Sequence, residues 1–466
     1  MLSKTYLDKH KNYKKKYGKN EIYWGIGIEN EMYLEFENKA RISQNFFLNN
    51  HKSERYSVDY YKSYKDELLK QTFRQYSHEY KEFDLPILVN SHSFMHCDTQ
   101  KEFKTTYEKD PKPNKKFNGK TLHEYLIENN SFYKDHYNLD IVYDGDTIEF
   151  ITQDFYKTDV RTVVNELEKL KKYFIDEIQP IFPFKEFGKI NIMKKNHPFA
   201  IHLTNMKNVT MFNNGTYHFN FTLPTKLDDK GEIENKYLFI QEHQNAIRLL
   251  QLFEPIFITM HGSIDPFYKQ SYKFSSASQR CAVSRYIGLG TYNTSTMKNG
   301  KILHIKVNEL DASFWYNIYH NNSAYKKLDQ VGLDINFNKH YYHGIELRIF
   351  DFFENENDSI YNLLKFIVHL LDHSLEYESI TDFVKNEQWN EMVVNCMTNG
   401  KNTYLPSSQM SLFNNVFGTS YNSMNIEIFY ILISSYLEKK YKNEGKCSKY
   451  MLKKQTESIN NCCIIT

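Results

Sequence analysis

The sequence lacks the features that mark secreted and membrane proteins. It has only 6 cysteines among 466 residues, and no two of them are spaced as C-x-x-C. Its N-terminus has no apolar segment of the kind that a signal peptide contains. No apolar run approaches the roughly 20 residues that a membrane-spanning helix needs. We therefore expect a cytoplasmic protein with reduced thiols and no transmembrane segment.

Net charge is also nearly absent. The chain carries 59 lysine and arginine residues against 57 aspartate and glutamate residues, a formal net charge of +2. Such a balance produces no strong overall field, so the net charge argues neither for nor against a nucleic-acid partner. We expect no specific nucleic-acid binding. The length allows two or three domains. We expect a basic N-terminal arm over 1–20, a main domain over 21–378 and a mostly helical extension with a lysine-rich tail over 379–466.

The sequence does contain a predicted strand with acidic side chains on one face. Ile22 to Phe36 reads I-Y-W-G-I-G-I-E-N-E-M-Y-L-E-F. Because side chains alternate between the faces of a strand, Glu29 and Glu31 share a face and lie about 7 Å apart. Like charges at that distance repel unless a cation lies between them. The stretch is therefore either a solvated strand face or the beginning of a metal site.

Three further predicted strands also carry polar side chains on one face. They lie in a hairpin over 141–152, in T-Y-H-F-N-F-T-L over 216–223 and in H-G-I-E-L-R-I-F-D over 343–351. If the four strands are neighbours in one sheet, their polar faces pool carboxylates, an imidazole and a guanidinium. If they are apart, each is an ordinary solvated face. The polar residues of the three strands are Asp144, Asp146 and Glu149, then His218, Asn220 and Thr222, then Glu346 and Arg348.

Such a pool of side chains suits phosphoryl transfer. Carboxylates and imidazole are suitable ligands for Mg²⁺ or Mn²⁺. An arginine beside a bound metal binds phosphate through paired donors. Metal, arginine and phosphate together are the components of a phosphoryl-transfer site.

Helical periodicity marks three segments of the chain. Apolar residues recur at helical spacing over 159–177, 237–260 and 360–371. The polar-faced strands alternate sharply, which favours an antiparallel or mixed sheet with one covered and one open face. The predicted fold class is α+β.

In this order, G-I-G-I-E-N-E, D-G-D-T-I-E-F, H-F-N-F-T-L and I-E-L-R-I-F-D resemble the signatures of the carboxylate–amine ligase superfamily, which includes glutamine synthetase and γ-glutamylcysteine synthetase. The resemblance is strongest to the superfamily's predicted amidoligase branch of viruses and phages. It implies a curved, mainly antiparallel sheet with helices on the convex face. It also implies a protein of the host cytoplasm or of a virion. It also implies ATP and Mg²⁺ or Mn²⁺ as cofactors. The substrates would be a small-molecule or protein carboxylate, usually glutamate-like, and an amine, joined through an acyl phosphate.

The resemblance also implies roles for individual residues. Asn220 takes the place of the second histidine in an H-x-H pattern, and its amide donates hydrogen bonds without carrying charge. Catalysis would depend on Arg348 and Arg285. The nucleotide or its phosphates would be contacted by Arg280, Arg285, Asn220 and Arg348. The metal ligands would be Glu29, Glu31, Glu149, His218 and Glu346.

Two other functions stay open at this point. Guanidino kinases have a similar sheet architecture, and phosphotransfer onto a nitrogen would use the same groups. Asn220 favours instead a non-catalytic structural or surface-binding protein that keeps the fold. The C-terminal C-I-I-T fits the outline of a prenylation box at Cys463. Threonine is not a usual last residue of such a box, so no lipid anchor is expected.

Overall fold

The structure is a computed structural model, and it describes most of the chain between residues 22 and 441. The basic arm predicted over 1–20 lies outside the described residues, as do Asp146, Arg280, Arg285 and Cys463. The described residues are 22–43, 82–89, 122–144, 147–152, 160–182, 184–194, 197, 199–203, 209–211, 215–226, 228, 232–263, 290–296, 298–302, 334–337, 344–353 and 356–441.

The described strands form two larger sheets and two short ribbons. In chain order they are β1 (Ile22–Met32), β2 (Leu34–Ser43), β3 (Glu82–Val89), β4 (Ile141–Asp144), β5 (Thr147–Ile151), β6 (Ile190–Ile192), β7 (Phe199–His202), β8 (Val209–Met211), β9 (Thr216–Lys226), β10 (Gly290–Asn293), β11 (Lys298–Ile302), β12 (Ile335–Phe337), β13 (Ile345–Phe350), β14 (Tyr404–Leu405) and β15 (Met424–Asn425).

The described α-helices fall between and after these strands. They are α1 (Leu122–Asn129), α2 (Ser131–His136), α3 (Val160–Ile178), α4 (Lys236–His261), α5 (Glu356–Ser374), α6 (Glu387–Asn399), α7 (Ser407–Phe417) and α8 (Ile426–Tyr441). Among these helices, none has the length and apolar character needed to cross a membrane. Helices combined with mainly antiparallel sheets confirm the predicted α+β class.

The larger sheet has six strands in the order β12-β13-β9-β1-β5-β4, and each neighbouring pair is antiparallel. The four strands with predicted polar faces are therefore consecutive neighbours. Helix α3 contacts β1 and β5, and α4 contacts β9 and β13. Ile28 of β1, Phe219 of β9 and Leu347 of β13 are each at most 1% exposed. Their burial leaves the alternate, polar side chains on the other face of the sheet.

The segment Ile22–Phe36 is not one continuous strand, so that part of the prediction is wrong. Strand β1 ends at Met32, and β2 begins at Leu34 in the second sheet, whose order is β6-β2-β3-β7-β8. Tyr33 lies between them, 3% exposed, and its carbonyl oxygen accepts a hydrogen bond from the backbone of Met193 at 2.9 Å. Burial of Tyr33 against the second sheet thus directs the chain from one sheet into the other.

The three helices predicted from apolar spacing are confirmed as α3, α4 and α5. The six apolar residues that define the pattern in α3 are all buried: Val160, Val163, Val164, Leu167, Leu170 and Phe174. Helix α4 begins at the cap residue Asn235, whose side chain accepts a hydrogen bond from the Leu238 backbone at 3.0 Å. It continues through Pro255 to His261. Helices α3 and α4 supply apolar cover for the larger sheet, and α5 packs against both of them.

The C-terminal helices share one hydrophobic core with the larger sheet and its covering helices. Helix α6 contacts α4, and α8 contacts α5. Trp389 of α6 is fully buried and donates a hydrogen bond from Nε1 to the Gln251 carbonyl oxygen at 3.0 Å. Phe413 of α7 meets Phe253 of α4 edge to face at 5.3 Å. Residues 380–441 therefore add apolar packing behind the sheet that carries the polar cluster.

A glycine at the start of β13 allows this strand to approach β9 closely. Gly344 has a φ of +88°, and a Cβ at this position would lie 2.2 Å from the backbone oxygen of Phe221. We expect Gly344→Ala to lower the free energy of unfolding by more than about 2 kcal/mol, because strain adds to a backbone clash.

Gly418 supplies the matched control for Gly344. It has a φ of +63°, but a Cβ there would meet no atom within 4 Å. Gly418→Ala should therefore cost about 1 kcal/mol, the penalty of the left-handed conformation alone. Urea unfolding of both variants measures the difference, and equal losses would contradict a role for close strand approach at Gly344.

Candidate metal centre

The polar side chains of β1, β5, β9 and β13 meet on the face of the larger sheet opposite its buried apolar residues. Strand β1 lies between β5 and β9, and β13 lies on the far side of β9. Neighbouring strands are about 4.8 Å apart, so side chains in register lie within reach of one another. The register sets three polar pairs opposite each other: Glu31 and Glu149, Glu29 and His218, and Glu346 and Asn220.

His218 is the centre of this cluster. Its side chain is only 1% exposed. Its Nδ1 lies 3.4 Å from Glu29 Oε2 and 3.8 Å from Glu346 Oε1. Its Nε2 lies 3.6 Å from Glu31 Oε1. A buried imidazole thus has a carboxylate close to each ring nitrogen, which is an arrangement suited to holding a cation.

Three of these side chains fit the spacing of metal ligands. Glu29, Glu149 and His218 each offer one ligand atom, and the three atoms lie within 4.8 Å of one another. Adjacent ligands of an octahedral ion with bonds of about 2.1 Å lie about 3 Å apart, which is close to the 3.4 Å between Glu29 Oε2 and His218 Nδ1. Carboxylates with one imidazole suit Mg²⁺, Mn²⁺ or Zn²⁺. The donor set therefore fits a divalent ion.

Arg348 supplies positive charge to the same cluster. Its Nη1 donates a hydrogen bond of 2.7 Å to Glu346 Oε1, and the Glu346 side chain is only 4% exposed. Burial acts to lower the pKa of Arg348, but the carboxylates of Glu346, Glu31 and Glu29 outweigh it and raise that pKa above its usual value. The guanidinium stays charged. Its buried Nε has no hydrogen-bond partner among the described residues.

Both ring nitrogens of His218 lie within hydrogen-bond distance of neighbouring side chains. Arg348 Nη1 lies 3.2 Å from Nδ1, and Glu29 Oε2 lies 3.4 Å from the same nitrogen. Nε2 lies 3.3 Å from Thr216 Oγ1. Thr216 in turn donates to Glu31 Oε2 at 3.1 Å. These contacts fix the orientation of the imidazole ring within the cluster.

Two residues of the cluster were missed by the sequence analysis. Thr216 lies two positions before His218 on β9, so strand periodicity alone places Thr216 on the same face as His218. Asn336 on β12 is 2% exposed and donates to Glu346 Oε2 at 2.6 Å. It lies in the three-residue strand I-N-F, which is too short to show an alternating pattern.

Asn220 contacts a predicted metal ligand. Its Nδ2 donates a hydrogen bond of 3.2 Å to Glu29 Oε1. The other oxygen of Glu29 lies near His218. The amide therefore orients the Glu29 carboxylate towards the imidazole, and the predicted contact of Asn220 with nucleotide stays a prediction.

The next acidic residue after Glu31 belongs to the other sheet. If β1 continued, the alternation of side chains would place Glu35 on the same face as Glu31, but Glu35 lies on β2 in the second sheet. Arg280 and Arg285 lie outside the described residues. The described part of the cluster thus contains seven side chains named from the sequence as metal ligands or phosphate contacts: Glu29, Glu31, Glu149, His218, Asn220, Glu346 and Arg348.

Comparison with known proteins identifies a viral relative. The chain is 38% identical over 455 residues to an uncharacterized protein, R704, of Acanthamoeba polyphaga mimivirus. The match covers 95% of this chain and 79% of the relative. The chain belongs to the same family as this mimivirus protein. No family model matches the chain. Since the mimivirus member is uncharacterized, membership of the family assigns no activity to the cluster around His218.

Proposed function

We propose that this protein is an ATP-dependent ligase that joins a carboxylate to an amine with the help of a divalent metal ion. One observation carries the proposal: four carboxylates, one buried histidine and one charged arginine converge on a single face of an antiparallel sheet. The ordered resemblance to carboxylate–amine ligases selects this chemistry among the uses of such a cluster.

In this proposal Glu29, Glu149 and His218 hold the metal ion, for which Mg²⁺ or Mn²⁺ is the natural choice. A bound divalent ion would neutralise charge on the phosphates. Arg348 would donate to phosphate oxygens, since its guanidinium is charged and its side chain is 18% exposed. Thr216 and Asn336 orient Glu31 and Glu346 respectively.

The proposed reaction has two steps. A carboxylate oxygen attacks the γ-phosphorus of ATP, and the bond to ADP breaks, which yields an acyl phosphate. An amine nitrogen then attacks the acyl carbon, phosphate leaves with the electrons of the carbon–oxygen bond, and the amine loses a proton. The products are an amide, ADP and phosphate.

A non-catalytic protein with the same fold is the second candidate, and the hydrogen bonds of the cluster favour it. Asn220 donates to Glu29, and Arg348 donates to Glu346. Part of the negative charge is therefore already compensated within the protein. A protein that uses the cluster only to stabilise its sheet would show the same contacts.

Trapping of an acyl phosphate tests the ligase proposal. The full-length protein is incubated with ATP, Mg²⁺, a panel of carboxylates that includes glutamate, and hydroxylamine, which converts acyl phosphates to hydroxamates. The ligase should form a hydroxamate and release ADP and phosphate only when both acid and amine are present. A phosphorylated nitrogen product formed without any carboxylate would indicate a kinase. If calorimetry with a non-hydrolysable ATP analogue shows no binding with or without Mg²⁺, the protein is not a nucleotide-dependent enzyme.

A further inference from the structure

A second candidate site lies on the helix-covered side of the larger sheet. A cavity of about 980 Å³ is bounded by α3, β6 and the beginning of α5. Met32 of β1 and Tyr217 of β9 line it from the sheet. Because side chains alternate between the faces of a strand, these residues point away from Glu31 and His218. The cavity has the size of a small-molecule site and is separated from the candidate metal centre by the sheet.

A buried lysine forms part of the cavity wall. Lys171 of α3 is 7% exposed, although lysines are rarely buried because desolvation of the ammonium group is costly. Its Nζ donates a hydrogen bond of 3.2 Å to the hydroxyl of Tyr217 and lies 5.3 Å from the centre of the Tyr217 ring. The hydrogen bond to Tyr217 holds the ammonium group at the inner wall of the cavity.

The rest of the lining combines charge with apolar surface. Among the described lining residues, lysines exceed carboxylates, with four against three: Lys169, Lys171, Lys172 and Lys194 against Glu168, Asp176 and Asp358. Phe352 and Phe353 add aromatic surface, and Ile175 and Ile192 add aliphatic surface. A ligand that matches this lining has one anionic group and a flat apolar body.

We propose that this cavity binds a small organic anion, with its anionic group at Lys171 Nζ and its apolar body against Phe352 and Phe353. A charge-assisted hydrogen bond from an ammonium group to a phosphate or carboxylate is about twice as strong as one between neutral groups. The inference does not depend on the proposed ligase activity, since the two sites lie on opposite faces of the sheet.

Three probes with one shared ring system test the proposal: naphthyl phosphate, naphthoate and the neutral naphthalenemethanol. Calorimetry with the full-length protein is performed in EDTA, so that no metal bridges a probe to the candidate metal centre. We expect the anions to bind with one-to-one stoichiometry and at least about tenfold more tightly than the neutral probe. The tighter of the two anions identifies the class as phosphate or carboxylate.

Lys171→Met is the matched variant, since methionine retains much of the lysine side-chain length without the charge. It should weaken anion binding by about tenfold and leave the neutral probe unaffected. Lys385→Met, at an exposed lysine outside the cavity, and Glu29→Gln, at the metal centre, should bind the anions like the wild type.

The proposal is overturned if the wild-type protein binds the anions no better than the neutral probe, whatever the variants do. Unchanged anion binding by a folded Lys171→Met variant, checked by circular dichroism, would overturn it as well. Loss of anion binding in Glu29→Gln would place the probes at the metal centre instead. Because every probe is free of ATP and metal, these outcomes are distinct from failure of the ligase assay.

Discussion

Glu29→Gln is expected to lower the affinity for a non-hydrolysable ATP analogue with Mg²⁺ by more than about a hundredfold, which is beyond the effect of losing an outer metal-site partner. Glu29 Oε2 lies 3.4 Å from His218 Nδ1, and the Glu29 carboxylate offers one of three ligand atoms that lie within 4.8 Å of one another. Glutamine keeps the size of the side chain but removes the negative charge that a divalent ion needs. Calorimetry with and without Mg²⁺ measures the effect.

Glu35→Gln is the matched control for Glu29→Gln. Both glutamates lie in the stretch I-E-N-E-M-Y-L-E, but Glu35 belongs to β2 in the second sheet. Its replacement should leave nucleotide binding at the wild-type level. If Glu29→Gln binds the analogue as well as the wild type does, the metal is not held by the Glu29–His218 pair. If both variants lose binding equally, the effect is a general one on the fold.

Arg348→Met should lower the free energy of unfolding by about 3–5 kcal/mol in metal-free buffer, the range for breaking a buried ion pair by removing one partner. The substitution removes the charge partner that lies 2.7 Å from Glu346 Oε1. It also removes a positive charge that interacts with Glu31 and Glu29. Several carboxylates then share the polar face with less compensating charge. Urea unfolding in EDTA measures the loss.

Addition of Mg²⁺ distinguishes loss of charge compensation in Arg348→Met from simple loss of packing. Arg348 Nη1 contacts Glu346 Oε1 and His218 Nδ1, atoms that a cation would also attract. Mg²⁺ should therefore stabilise Arg348→Met more than it stabilises the wild type. Lys365→Met removes a more exposed ion pair with Glu438 and should cost at most about 1 kcal/mol, with no extra effect of Mg²⁺. A loss below about 1 kcal/mol for Arg348→Met, or an equal Mg²⁺ effect in both proteins, would contradict a charge-balancing role.

The local elements were predictable because their patterns depend on near neighbours in the chain. Helix α3 follows from apolar residues three and four apart between Val160 and Phe174, all of which the fold buries. The alternation in β9 likewise places Phe219 and His218 on opposite faces. Where the chain passes from one sheet to the other within one or two residues, the sequence shows no such periodic pattern. Tyr33 continues the alternation of β1, and only its burial against the second sheet reveals the break.

The sequence by itself determined which side chains share a strand face, since a period of two is a property of the extended backbone. It therefore determined that Glu29 goes with Glu31 and Glu346 with Arg348. Only the tertiary structure decided that β13, β9, β1 and β5 are neighbours, because strand order and register depend on contacts between residues far apart in the chain. The same long-range contacts brought Asn220 within hydrogen-bond distance of Glu29. They also placed Glu35 in the other sheet. They also placed Lys171 against Tyr217, which no spacing in the sequence indicates.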